Sequence, residues 1–211
     1  MKEISPEIAY LAGAIHDGCL VKRKIQNRYD IQFYQKQEEY LENSILSRLR
    51  KLGINTKIRG PYKGCYYLKF GNKVLYKILE KEVNRLPENA EQKLLFVRGF
   101  WDAEGSCPHV EKYLNGERKR KKIPPQIGFH QNGNREILEI IRNYLIECGI
   151  FCSKIDGPIY RPVNKKPEFR FFIYSVARIK QFLDLVKPEH SEKQMRLKLL
   201  IENVKSANCK L

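Results

Sequence analysis

Apolar residues recur along the chain with two alternating periods. Between residues 37 and 52, Leu41, Ile45, Leu49 and Leu52 share one face of a 3.6-residue repeat, which predicts an amphipathic helix. Just before it, RYDIQFYQ (28–35) alternates. Tyr29, Ile31 and Phe33 point one way, and Arg28, Asp30, Gln32 and Tyr34 the other, as in a strand with one covered face. Extended along the first half, these patterns predict helices over 6–17, 37–52 and 72–84 and strands over 19–25, 28–35, 54–59 and 65–70. In the second half they predict helix 90–104, strands 107–112 and 125–131, helix 133–148, strands 150–156 and 168–174, and helix 176–186. A last helix over 190–204 closes the chain.

The two halves repeat one another. IQFYQKQEEYLENSILSRLRKLGI (31–54) runs beside IGFHQNGNREILEIIRNYLIECGI (127–150) without a gap, matching Ile31 to Ile127, Phe33 to Phe129, Gln35 to Gln131 and Gly53 to Gly149. Gly60-Pro61 then matches Gly157-Pro158. The expected organisation is a first repeat over 1–88 and a second over 89–211, each αββαββα, joined through LEKEVNRLPENAEQ (79–92). The fold class is α+β, with the first helix of each repeat packed against its counterpart.

Those two first helices carry candidate chemistry. Ser5-Pro6 opens one with an N-cap and a proline at the first helical position, and Asn89 with Gln92 opens the other. Gly18 and Gly105 are expected as left-handed stops. Small residues line one side, Ala9, Ala12 and Gly13 in the first helix and Gly99 and Ala103 in the second, so the backbones can approach closely. Each helix ends in an acid, Asp17 or Glu104. Paired about a pseudo-twofold axis, the two carboxylates meet at one end, where helix C-termini add partial negative charge and free carbonyls. A bound cation relieves that repulsion, and oxygen-only ligands favour Mg²⁺. Asp17 and Glu104, with the adjoining Gly18 and Gly105, are the candidate metal ligands.

Charge narrows the partner. The 211-residue chain carries a net charge of +16, an excess that favours a polyanion, with nucleic acid ahead of a membrane surface or a cationic small-ligand enzyme. No apolar stretch approaches a bilayer span and MKEISPEIAY lacks the layout of a secretion signal, so an intracellular protein is expected, cytoplasmic in a prokaryote or else organellar. The six cysteines form no C-x-x-C, and the histidines lack zinc-finger spacing, which favours free thiols. Polar strand positions supply a candidate DNA face: Lys22, Lys24, Arg28, Gln32, Tyr34, Lys57, Arg59 and Lys69, then Gln126, His130, Lys154 and Arg170. An insertion, LNGERKRKKIPP (114–125), adds Arg118, Lys119, Arg120, Lys121 and Lys122 as phosphate contacts, with a localisation signal or plain solvated charge as rivals.

YLAGAIHDG (10–18) and VRGFWDAEG (97–105) resemble the paired signature motifs of LAGLIDADG homing endonucleases in their single-chain, two-motif form. That resemblance covers nearly the whole chain. It implies a saddle of antiparallel sheets in the major groove of double-stranded DNA with a long recognition site, the motif helices forming the interface of a monomer. It also implies that Asp17 and Glu104 hold Mg²⁺, with Mn²⁺ able to substitute, for a staggered cut that promotes intron mobility. Gln35 and Gln131 fall where the family positions solvent, and Lys193 where it often places a lysine. Two departures stand out: Ala12 occupies the usual glycine position, with Gly13 beside it, and Arg98 interrupts the second motif's apolar face. Asp102 is expected at the helix surface or interface, and His16 in packing. The alternative function is an intron-RNA-binding maturase on the same scaffold; a silent DNA-binding regulator would have no use for two metal-ready acids.

Overall fold

The computed structural model describes residues 3–117, 123–162 and 166–208. The basic cluster Arg118, Lys119, Arg120, Lys121 and Lys122 lies outside the described residues, as does the side chain of Lys24. Two compact units appear, Met1–Glu104 and Gly105–Leu211. The division falls after the second motif helix, not at the repeat boundary near residue 88, because that helix packs into the first unit.

In the first unit, helix α1 (Pro6–Ala14) begins at Ser5, whose hydroxyl accepts from Ile8 N–H at 3.3 Å, and runs into a 3-10 turn over Ile15–Asp17. Strands β1 (Gly18–Arg23), β2 (Arg28–Gln35), β3 (Ile58–Tyr62) and β4 (Cys65–Gly71) form an antiparallel sheet in the order β1-β2-β4-β3. Between β2 and β3 runs one continuous helix, α2 (Glu38–Tyr40) and α3 (Ser47–Lys51) joined through a π segment Leu41–Leu46. It buries Leu41, Ile45 and Leu49, as the 3.6-residue spacing predicts, against Ile31, Phe33 and Leu68. Burying each such side chain is worth about 1.5–3 kcal/mol. Helix α4 (Lys73–Glu82), capped by Asn72, adds Leu75 and Leu79, and α5 (Ala90–Glu104) completes the unit.

The second unit repeats the sheet. Strands β5 (Gly105–Ser106), β6 (Gln126–Asn132), β7 (Asp156–Ile159) and β8 (Glu168–Tyr174) pair in the order β5-β6-β8-β7. Helices α7 (Arg135–Glu147) and α8 (Val176–Val186) bury Ile137, Ile141, Leu145, Ile179 and Phe182 against Phe129 and Phe171, whose rings stack at 4.6 Å. Helix α6 (Val110–Leu114) packs on α9 (Ser191–Asn208).

Three expectations shift. The strand expected over 107–112 is instead two residues of β5 followed by α6, because Pro108 has no N–H to extend a ladder. The strands expected over 54–59 and 150–156 begin later and run through Gly60-Pro61 and Gly157-Pro158. Those prolines are tolerated because β3 and β7 are sheet edges, where a missing donor costs no ladder bond. Gly18 is extended (φ −138°), and neither it nor Gly105, which opens β5, takes the positive φ of a left-handed stop. The lack of a side chain at Gly18 serves the sheet, since a Cβ there would lie 2.1 Å from the Gln32 carbonyl oxygen.

Candidate active site and nucleic-acid face

Helices α1 and α5 are in backbone contact. A Cβ on Gly13 would lie 2.0 Å from the Phe96 carbonyl oxygen and 2.7 Å from the Phe100 nitrogen. A Cβ on Gly99 would lie 2.1 Å from the Tyr10 carbonyl oxygen and 3.1 Å from the Ala14 nitrogen. Each glycine thus meets the residue three before and the residue one after its counterpart, the mark of a twofold relation between Gly13 and Gly99. The helices run parallel: Gln92 Nε2 donates to the Ile4 carbonyl at 2.6 Å near their starts, and His16 stands edge-on to Phe100 at 4.8 Å near their ends. Asp17 and Glu104 therefore terminate the pair at the same end.

This register changes the reading of the first motif. From Gly13 to Asp17 the chain has one residue fewer than from Gly99 to Glu104. The sheets agree, since Gly18 lies opposite Phe33 and Gly105 opposite Phe129, the two phenylalanines matched by the repeat. The first motif is thus contracted by one residue, and the 3-10 turn makes up the length. Three 3-10 residues rise about 6 Å, as far as four α-helical ones. Gly13 is therefore the motif glycine, and Ala12 is no departure.

Around the acids, Gln35 Nε2 donates to Asp17 Oδ2 at 2.9 Å while its Oε1 accepts from Lys36 N–H at 3.2 Å. The backbone bond orients the amide so that its NH₂ faces the acid. Gln131 makes the same backbone bond, its Oε1 accepting from Asn132 N–H at 2.6 Å. Lys193 lies half-buried on α9, with its charge felt at Cys107. His16 is packing: its Nε2–H donates to the Val83 carbonyl at 2.9 Å, and burial pushes its pKa down to about 4, so it stays neutral beside Asp17.

Asp102 is fully buried and accepts from Tyr10 Oη–H at 2.9 Å. The Tyr10 hydroxyl also meets that of Tyr40 at 3.3 Å, and the Arg48 guanidinium sits 3.6 Å over the Tyr10 ring. Asp102 thus ties α5 to α1 and to the helix behind. Tyr10→Phe, which strips one bond from a buried carboxylate, is expected to cost about 1–3 kcal/mol in urea denaturation. An unchanged midpoint would refute the role.

Metal chemistry fits the donor set at the helix ends in one respect and limits it in another. Both acids are half-buried, hard oxygen donors. Among the described residues no three or more His, Cys, Asp or Glu side chains cluster as a cage. Two carboxylates leave most of an octahedral shell to water and to ligand oxygens, the arrangement Mg²⁺ commonly adopts beside phosphates.

On the first sheet's uncovered face stand Cys19, Arg23, Arg28, Asp30, Gln32, Tyr34, Lys69, Tyr67 and Arg59, fixed there by strand register. Asp30 is fully buried and pairs with Arg28 at 2.6 Å and Arg23 at 3.6 Å, so the expected contact Arg28 is braced by an acid. Gln32 is also buried, accepting from the Tyr34 hydroxyl. Lys22 falls on the other face, opposite Tyr29, with its ammonium 5.6 Å from that ring. Lys57, just before β3, and Lys154, before β7, are exposed. On the second sheet, Gln126, Gly128, His130, Arg170 and Phe172 share the uncovered face. Arg170 pairs with Asp156 at 2.9 Å. Unforeseen are Ser106, Arg161 and Glu168, which surround His130. Strand alternation alone would have placed Glu168 beside Arg170 on that face.

Twin glycine-fitted helices, each ending in an acid and followed by the same four-stranded sheet, give the chain a duplicated architecture similar in fold to LAGLIDADG proteins. Comparison with known proteins agrees. Over 210 residues the chain is 26% identical to homing endonuclease I-ApeI of Aeropyrum pernix, spanning 91% of this chain and 86% of that one. Among solved structures, I-DmoI in complex with DNA and calcium superposes with a TM-score of 0.64 at 23% identity, covering 87% of this chain and 91% of that one. Full-length DUF199/WhiA of Thermatoga maritima gives a TM-score of 0.63 at 15% identity, covering 96% and 62% respectively. No family model matches the chain.

Proposed function

We propose that this protein is a site-specific, divalent-metal-dependent homing endonuclease that cuts double-stranded DNA with a stagger and so spreads an intron. One observation carries the reading: two acids, Asp17 and Glu104, terminate parallel helices whose glycines are fitted backbone to backbone. Asp17 and Glu104 would hold the metal, Mg²⁺ with Mn²⁺ as substitute, which when bound supplies a water acidified toward neutral pH and charge neutralisation at the leaving oxygen. Gln35 holds the Asp17 carboxylate at a set angle, and Gln131 is the matching residue of the second repeat. Arg59, Lys69, Lys57 and Lys154 supply the positive field that attracts phosphate, and each neutralised phosphate steepens the salt dependence of binding by about 0.9 in log-log slope. Relatives named as a homing endonuclease and as a DNA complex support this reading. They lend no support to an intron-RNA partner.

The test is incubation with a pool of randomised duplexes and Mg²⁺, followed by sequencing of the cut ends. A shared long sequence with a constant stagger, absent in EDTA, is expected. Cutting that ignores sequence, or persists in EDTA, would refute the proposal.

A further inference from the structure

His130 stands at the centre of a hydrogen-bonded chain on the second sheet's uncovered face. Its Nε2 lies 2.7 Å from Ser106 Oγ, and its Nδ1 lies 3.0 Å from Glu168 Oε1. The other Glu168 oxygen, Oε2, is held by Arg161 Nε at 2.5 Å. Glycine at 128 is what lets the first pair meet, since a Cβ there would lie 2.6 Å from His130 Nε2 and 2.7 Å from Ser106 Oγ. Ser106 also lines an open cavity of about 190 Å³ with Gln126, Gly128 and Phe172.

Protons in this chain can be assigned from one end. Burial pushes the Glu168 carboxyl upward, but its bonds to His130 and Arg161 outweigh that and leave it ionised, an acceptor only. Nδ1 of His130 must therefore carry hydrogen. Burial lowers the proton affinity of the imidazole more than Glu168 raises it, so the ring is neutral and Nε2 is bare. Ser106 Oγ–H must then donate inward to Nε2. A serine hydroxyl ordinarily serves as donor or acceptor. Here its only proton is committed, and it can offer the cavity nothing but lone pairs.

Resting on the reading of DNA as the ligand, we infer that Ser106 is a specificity-determining residue whose hydroxyl, locked as an acceptor by His130 and Glu168, selects a base with an exocyclic amino group. In the major groove that means adenine N6 or cytosine N4, whereas guanine O6 and thymine O4 would meet the hydroxyl lone pair to lone pair. Glu168 and Arg161 act as positioning residues. They set the direction of the relay without touching a base.

Glu168→Gln gives a test that a structural role would not pass. Arg161 would hold the amide oxygen, which turns the NH₂ toward His130 Nδ1. The ring then carries its hydrogen on Nε2 and donates to Ser106, whose proton is released outward. The isosteric change should reverse the choice of base.

The experiment is selection of bound duplexes from a randomised pool in EDTA, where nothing is cut, with the full chain and with the Ser106→Ala, Ser106→Thr and Glu168→Gln variants. In the parent, one position should favour adenine or cytosine about tenfold over guanine and thymine. Ser106→Ala should flatten that position alone, Ser106→Thr should keep it, and Glu168→Gln should turn it toward guanine or thymine. If the parent retains sequence-specific duplexes but no position responds to Ser106→Ala, or Glu168→Gln leaves the base unchanged, the inference falls while DNA recognition stands. Failure of the parent to retain any duplex would instead overturn the DNA reading itself, and this inference with it.

Discussion

Asp17→Asn, and separately Glu104→Gln, should leave duplex binding within about threefold of the parent while Mg²⁺-dependent cutting falls by about 10³-fold or more. Both changes keep the side chain's size and remove one negative charge from a helix end, where the backbone already presents free carbonyls. Repulsion between the two acids is relieved, so each variant should melt at or above the parent. On the proposed function, phosphate attraction comes from the basic sheet faces and is not weakened. Only the metal loses, since a neutral amide is a poor ligand for a hard divalent ion. Binding measured by gel shift, cutting by end-labelled duplex and stability by thermal melting separate these effects. Retained cutting in the double variant would refute the assignment. A lowered melting point with lost binding would show that the acids serve the fold and not the chemistry.

Gly13→Ala should be the most damaging single-methyl change in the first unit, with Gly99→Ala close behind. The added carbon would fall 2.0 Å from the Phe96 carbonyl oxygen in the first case and 2.1 Å from the Tyr10 carbonyl oxygen in the second. Neither neighbour is a side chain that can turn aside. Both are backbone atoms of the partner helix, so the helices must separate and expose Ala9, Phe96 and Phe100, which are fully buried. Roughly 4 kcal/mol or more is expected in chemical denaturation, at the extreme of single-site effects. Gly71→Ala is the control, because a Cβ there has nothing nearer than 3.8 Å. Equal melting of Gly13→Ala and Gly71→Ala would overturn the packing argument.

The helix pair illustrates how far linear reading reaches. Small residues on one side and an acid at each tip were visible in YLAGAIHDG and VRGFWDAEG, and so was the expectation that the acids meet. Invisible was which glycine makes the contact. Aligning from the acid puts Ala12 at the glycine position, whereas the contacts of Gly13 show a motif one residue short. A 3-10 turn and an α turn differ in rise by only about 0.5 Å per residue. Nothing in residue types announces which a chain will take; packing against α5 and the entry into β1 do.

On the sheets the same division holds. Alternation in RYDIQFYQ correctly separates Ile31 and Phe33 from Arg28 and Tyr34, because a strand's period of two is a local property. It cannot reveal that Asp30 is sealed beneath two arginines, that Lys22 faces Tyr29, or that Glu168 reaches diagonally to His130. The first two depend on the register of β1 beside β2, and the third on that of β8 beside β6, a strand distant in sequence.

By itself, then, the sequence determined the duplication, the alternation of helix and strand, the pair of terminal acids and the surplus of positive charge. All of these are carried by residue type and local spacing. Tertiary structure alone decided which glycines fit the motif helices together, the contracted turn before Asp17, the inward-facing Asp102 and the hydrogen-bonded chain through His130. Those arise where atoms far apart along the chain come within bonding distance, and no one-dimensional pattern records that distance.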